Sequence, residues 1–317
     1  MRSTIILLAI AASAFAADFP QAEISNGQIR AKLMLPDPDR GYYRGTRFDW
    51  SGQIASLEYN GHNYFGQWFP RYDPKLHDSI MGPVEEFRTD DSALGYDQAK
   101  PGDTFIKIGV GVLRKPDEKE YKFTTPYQIV NGGKWTTQTF PDHVVFTHQL
   151  SDSSGVAYLY TKTVRLVAGK PQMIIEHELK NTGKRPIETA VYDHNFFVID
   201  GQPSGPDFSV KFPFEVKTVA DVSNTAVAKG NELDYIRELP TGQSVYTELK
   251  GYGPTSKDYD IRVENTKTKA GVHVTGDRPL SKLVFWSIRT TVCPEAYVSM
   301  NVEPGRSSQW KITYDFF

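Results

Sequence analysis

The chain has 317 residues, with 36 Lys plus Arg against 38 Asp plus Glu and a formal net charge of −2. That balance lacks the clustered positive charge of a nucleic-acid binder. Aromatic residues make up 13 % of the chain, and the single cysteine, Cys293, excludes an internal disulfide. The fold must therefore rest on an apolar core, and a chain of roughly 300 residues can bury about 75 % of its unfolded surface.

The chain opens with a short basic stretch, Met1-Arg2, an apolar run from Ile5 to Ala12, and Ala14-Phe15-Ala16. Small residues two apart after a short apolar run read as a secretory leader with its cleavage site. The run is shorter than the ~20 residues needed to cross a bilayer. The sequence thus predicts residues 1–16 as a signal peptide and 17–317 as one exported, periplasmic or secreted domain. No membrane anchor is expected after cleavage.

Four segments are dense in polar and aromatic residues. The first is Gly41 to Trp50, carrying Arg44 and Arg47; the second is Leu76 to Phe87, carrying His77, Glu85 and Glu86. The third is Tyr192 to Phe197, with Tyr192, Asp193 and His194; the fourth is Ile288 to Tyr297, with Arg289, Cys293 and Glu295. A pyranose needs aromatic faces for its C–H side and carboxylates, amides or Arg forks for its hydroxyls. Acid/base chemistry on the ring needs two positioned titratable groups. Residues from these four segments are predicted to line one pocket. Cys293 itself reads as a small, inert core residue.

Between and beyond these segments the pattern is β. Val144 to Leu150, Val156 to Val167, Pro171 to Leu179, Ile261 to Val263, Gly271 to Thr275 and Leu283 to Trp286 are rich in β-branched and aromatic residues. Turn residues separate them, as at Asp152-Ser153-Ser154-Gly155 and Asn181-Thr182-Gly183. Met173, Ile175, His177 and Leu179 share one strand face, with Ile174, Glu176 and Glu178 on the other. Weak helical patterns remain only near Asp221 to Ala228 and Asn231 to Glu238. Gly109-Val110-Gly111 is half a nucleotide fingerprint, but no helical pattern follows it. G-x-S-x-G and H-E-x-x-H are absent and the cysteine stands alone. No metal site and no cofactor are predicted.

The segments also resemble one family. The strand from Met173, the Asn181-Thr182-Gly183 turn and Tyr192-Asp193-His194-Asn195-Phe196-Phe197 resemble the aldose 1-epimerase (galactose mutarotase-like) superfamily. So do Gly52-Gln53-Ile54-Ala55-Ser56-Leu57 with Gly61, then Pro294-Glu295-Ala296, Glu303-Pro304-Gly305 and the closing strand from Trp310 to Phe316. The resemblance implies an all-β supersandwich of two large, mostly antiparallel sheets with a sugar groove. It implies an isomerase that opens and closes a pyranose at its anomeric carbon, a carboxylate taking the O1 proton and a histidine protonating the ring oxygen. His194 matches that histidine, and His77 matches a second one. Arg44 or Arg47 matches a substrate-clamping arginine. Where the family carries its basic Glu, five residues before Pro294, this chain has Arg289. The base then falls to Glu295, or to Glu85 or Glu86. A cation at that place suits a carboxylated sugar. The same fold also serves non-catalytic carbohydrate binding, and polysaccharide lyases or hydrolases, for which Arg289, Tyr192 and His194 would supply the parts. In every reading the partner is a sugar or oligosaccharide.

Overall fold

In a computed structural model, residues 19–317 are described. The predicted leader and its cleavage point lie outside the described residues. Strands dominate, and the helical content among the described residues is two three-residue 3-10 turns, Ile199–Gly201 and Ser256–Asp258.

Two sheets carry the architecture. A ten-stranded sheet runs in the order Ala226–Lys229, Glu232–Tyr235, Phe208–Lys211, Asp260–Asn265, Ala270–Gly276, Ser307–Phe316, Gln172–Asn181, Ala157–Leu166, His143–Ser151, Lys134–Thr139. A six-stranded sheet runs Lys217–Thr218, Ser244–Lys250, Lys282–Ile288, Thr291–Val302, Ile187–His194, Val84–Arg88. Their strand pairs are antiparallel. Smaller sheets of four and three strands flank them.

Period-2 alternation decides what goes where. Along Ala157–Leu166 every second residue is buried, and Tyr158, Tyr160, Lys162 and Val164 form the inner row. Met173, Ile175, His177 and Leu179 form the next row, as their spacing predicts, and Trp310, Ile312, Tyr314 and Phe316 the row beyond. Facing them from the six-stranded sheet are Phe87, Val191, Leu283, Phe285, Ala296 and Val298, in the same apolar core. The opposite face of the six-stranded sheet is covered by a second apolar layer. Its loop residues include Tyr43, Phe48, Trp50, Trp68 and Tyr127.

The two helical expectations are corrected. Ala226–Lys229 and Glu232–Tyr235 are strands of one antiparallel hairpin, Ala226 opposite Tyr235. Gly230 and Asn231 make the turn, with Gly230 at a φ of 60° that suits glycine. Alternate burial of Leu233 and Tyr235 on one face wins over a weak helical period. Gly109, read as half a nucleotide fingerprint, sits in a hairpin turn at φ 77°, and a Cβ there would lie 2.7 Å from the Asp49 carboxylate.

Candidate functional site

Five neighbouring strands of the six-stranded sheet build the floor of a cavity. Tyr192 pairs with Glu86 on one side and with Tyr297 on the other. Glu295 lies opposite Val284, Cys293 opposite Trp286, and Trp286 opposite Tyr246. Because side chains alternate, Glu86, Arg88, Tyr192, His194, Cys293, Glu295, Tyr297, Trp286 and Tyr246 all rise from the face turned away from the ten-stranded sheet. Arg47, Asp78 and Phe123 close over them from loops, leaving a cavity of about 350 Å³. That is the small end of the ~300–1,000 Å³ range of ligand sites. A larger hollow of about 730 Å³ lies elsewhere, between Leu94, Phe105 and Arg185, but no histidine faces it. We place the site where the chemistry is.

At the centre of the floor stand His194 and Glu295. The Nε2 of His194 is 3.3 Å from a Glu295 carboxylate oxygen, and its Nδ1 is 2.6 Å from the Cys293 sulfur. The ring stacks on Phe196 at 3.7 Å and is 3 % exposed. Burial, reinforced by the nearby Arg47 charge, pushes the His194 pKa well below its usual value. Burial also raises Glu295 to about 8, against the opposing pull of Arg47. Near neutral pH burial thus favours the uncharged pair, with the proton on the carboxyl. The buried thiol stays protonated, its pKa pushed well up by desolvation. Its sulfur accepts from the Phe196 N–H at 3.3 Å and can either donate to or accept from Nδ1. Either tautomer of His194 thus keeps this contact. Cys293, expected to be inert, is the hydrogen-bond partner of the site histidine.

His194, Cys293 and Glu295 lie within 4.8 Å of one another, a spacing that could hold a metal. One imidazole offers an ion only one nitrogen, however, and here opposite nitrogens face the sulfur and the carboxylate. The trio is a hydrogen-bonded chain.

The walls are charged and tightly paired. Arg47 lies between the rings of Phe48 and Phe123, 4.3 and 4.2 Å from their centres. It donates to Glu86 at 2.9 Å and pairs with Asp78. Glu86 also takes Lys107 at 2.8 Å and the Tyr192 hydroxyl. Although burial opposes it, the Lys107 and Arg47 charges hold the Glu86 pKa far below the usual range. Desolvation lowers Lys107 to about 8. Tyr192 and Tyr297 stack at 4.3 Å, and Tyr246 stands 59 % exposed at the rim.

Of the residues singled out from sequence, Arg47, Tyr192, His194 and Glu295 line this cavity, and Glu86 braces its wall. His77 stands just behind, its Nε2 3.1 Å from Asp78 and its ring edge-on to Phe123. Arg44 lies apart, its backbone N–H bonded to the Pro74 carbonyl. Arg289 also lies apart, half-exposed and paired with Glu238. Glu85 and Asp193 point the other way, between the sheets. Glu85 meets Lys162 and His177 there, and Asp193 accepts from the Tyr314 hydroxyl at 3.3 Å. Sequence reasoning missed Arg88, Asp78, Phe123, Trp286 and Tyr246 as lining residues. Arg88 and Trp286 were within reach, since each lies two residues from a same-face neighbour in its strand, Glu86 and Val284.

No protein-family model matches the sequence, and no curated protein matches it. Solved structures do match in fold. The GalM/aldose epimerase homologue from C. elegans aligns at a TM-score of 0.55 with 14 % identity, covering 95 % of this chain and 99 % of its own. A galactose mutarotase-like protein from Clostridium acetobutylicum gives 0.56 with 11 % identity over 93 % and 94 %. A galactose mutarotase related enzyme from Lactobacillus acidophilus gives 0.54 with 11 % identity over 94 % and 97 %. Identity this low speaks for architecture and not for chemistry. The chain has the all-β, galactose mutarotase-like fold.

Proposed function

We propose that this protein is an exported aldose 1-epimerase-like enzyme that interconverts sugar anomers in the His194–Glu295 cavity. The observation that carries the reading is the 3.3 Å approach of Nε2 to the Glu295 carboxyl in a small aromatic-walled cavity. The two oxygens to be served, O1 and the ring oxygen, share one carbon, so their acid and base must stand side by side. A single shared proton suffices. The Glu295 carboxyl delivers it to the ring oxygen as the C1–O5 bond breaks, and His194 Nε2 takes the O1 proton. This leaves an open-chain aldehyde, a carboxylate and an imidazolium. Rotation about C1–C2 exposes the other aldehyde face, and the reverse transfers close the ring as the other anomer. This order reverses the roles implied by the family resemblance. It follows from burial, which favours the uncharged pair over two separated charges. Arg47 steadies the carboxylate as it forms. Tyr192, Trp286 and Tyr297 offer aromatic surface to the ring's C–H face.

The test is NMR exchange spectroscopy or polarimetry across a panel of aldoses and uronates, with an ultraviolet assay for unsaturated uronate alongside. Anomer exchange that is lost in His194→Gln supports the reading. Sugar binding without exchange would assign a binding protein, and unsaturated product a lyase. Export is tested separately by N-terminal sequencing of the secreted chain, where an intact Met1 would reject the leader.

A further inference from the structure

One cation facing the cavity has only a loose, exposed counter-ion. Arg47 is matched by Glu86 and Asp78, and Lys107 by Glu86. Both Glu86 oxygens are thereby taken, one by Arg47 and Tyr192 and the other by Lys107. Arg88, the last residue of Val84–Arg88, lines the same cavity. Its Nη2 donates to the Asp91 carbonyl at 2.9 Å. The nearest carboxylate, that of Asp91, is 3.6 Å away on a side chain 93 % exposed. Its Nε is buried with no hydrogen-bond partner. A buried guanidinium donor without an acceptor is costly, so it marks a place that an acceptor completes.

The register fixes where that acceptor would lie. Arg88 pairs with Ala190, Glu86 with Tyr192 and Val84 with His194. Arg88 therefore starts four residues, ~13 Å at ~3.3 Å per residue, from the His194 row. The stacked Tyr192 and Tyr297 rings lie between. Arg88, His194 and Glu295 nonetheless line one cavity of about 350 Å³.

We infer that the cavity selects a uronic acid, a sugar whose carboxylate is gripped by Arg88 while its anomeric carbon lies at His194 and Glu295. The inference rests on the anomerisation reading above. Charge sets the kind of anion. Arg47 and Lys107 are held by Glu86 and Asp78, and Arg88 has only the exposed Asp91. One planar guanidinium fork carrying one charge matches a carboxylate, whereas a phosphate dianion would keep a charge unmet once Asp91 is displaced. The exposed Asp91 is a loose competitor that a bound carboxylate displaces.

The experiment compares wild type, Arg88→Gln and Arg88→Lys with D-galacturonate, D-glucuronate, D-galactose, D-glucose and D-glucose 6-phosphate. Affinity is read by calorimetry and anomer exchange by NMR. Wild type is expected to bind a uronate at least about tenfold more tightly than the matching hexose. Arg88→Gln should cut that preference to about twofold. Arg88→Lys, which keeps the charge and loses the fork, should fall between; it also serves if Arg88→Gln does not fold. Equal binding of uronate and hexose would overturn the inference, as would equal loss of both in Arg88→Gln. Tighter, Arg88-dependent binding of the 6-phosphate would overturn the carboxylate assignment. Arg88-dependent uronate binding without anomer exchange would refute the anomerisation reading and leave this one standing. Exchange of uronates and hexoses alike, with neither favoured and neither dependent on Arg88, would do the reverse.

Discussion

Adjacent residues of the same two strands feed two different buried polar networks. Glu86, Tyr192 and His194 belong to the cavity; Glu85 and Asp193 belong to the space between the sheets. The inter-sheet network is sealed, and its charged groups are paired with one another, although His177 Nδ1 and one Asp193 oxygen have no hydrogen-bond partner. Glu85 takes Lys162 on one oxygen and His177 on the other at 2.6 Å, and His177 stacks flat on Trp310 at 4.5 Å. Asp49 accepts from the Ser51 hydroxyl at 2.6 Å and the Tyr160 hydroxyl at 3.1 Å. Burial raises Asp49 to about 7 and Asp193 well above the usual range, and it lowers His177. Near neutral pH the network thus approaches one ion pair, Glu85 with Lys162, wrapped in neutral donors. The cavity keeps more charge, and at Arg88 a donor without an acceptor. Buried charge that is matched holds a structure together. Buried charge that is not matched points to something that binds.

The difference can be broken from the cavity side first. His194→Gln should lower anomer exchange by about 10²- to 10⁴-fold, the usual worth of a positioned proton carrier. His194 is 3 % exposed and stacked on Phe196. Glutamine, near it in size, is therefore the better probe than alanine. Exchange rates of folded His194→Gln within twofold of wild type would remove the histidine from the reaction.

Next comes the sealed side. Lys162→Met leaves Glu85 buried without its cation and should cost about 3–5 kcal/mol of stability, as breaking one partner of a buried pair does. Turnover of the protein that remains folded should not change, because Lys162 does not reach the cavity. Adding Glu85→Gln should restore part of the loss. Denaturant unfolding and exchange rates measured on the same samples decide it. A variant that kept its stability but lost activity would merge the two networks into one.

Much of this division was legible in sequence, and the illegible part has a definite cause. Alternation in Pro171 to Leu179 put His177 on the core face, and the even spacing of Trp310, Tyr314 and Phe316 did the same for the last strand. His194 and Glu295 were singled out by motif. Glu85 and Glu86 were both chosen because strand parity says only that they point oppositely, and not which face is the core. Parity is settled by pairing, Glu86 with Tyr192 and Glu85 with Asp193, and pairing joins segments about a hundred residues apart. Arg289 illustrates the same limit. Counting back from Pro294 reaches a hairpin turn, where side chains leave the sheet for solvent and this one meets Glu238. The base position cannot be found by counting across a turn.

A smaller effect concerns pH. The working form of the pair carries one proton. Losing it, with Glu295 at about 8, disables the acid; gaining a second, on a His194 depressed below its usual value, disables the base. The exchange rate should be flat through neutrality and fall above about pH 8. An acid-side fall should come only well below the ordinary histidine range. These limbs belong to the pair rather than to either residue. A rate that climbed steadily from pH 7 to 10 would mean that the carboxyl proton is not used.

The smallest expected effect is at Cys293, and it is the finest test of whether the cavity's polar chain works as a unit. The thiol both gives and takes hydrogen bonds, so it can follow the His194 imidazole through neutral and protonated states without moving. Cys293→Ser keeps that ability with a shorter reach and should change exchange rates only a few-fold. Cys293→Ala removes the partner from Nδ1. The imidazolium formed during ring opening then has no acceptor on that side, so its formation becomes less favourable. His194 should protonate at still lower pH in this variant, and the rate should drop by about tenfold, the worth of one hydrogen bond to a charged group. Stability would fall in both variants through lost packing, which alone does not move a pH profile. The acid limb and its recovery in Cys293→Ser are therefore the readout. If both variants keep the wild-type profile, the sulfur is only a packing atom and the working chain ends at the imidazole.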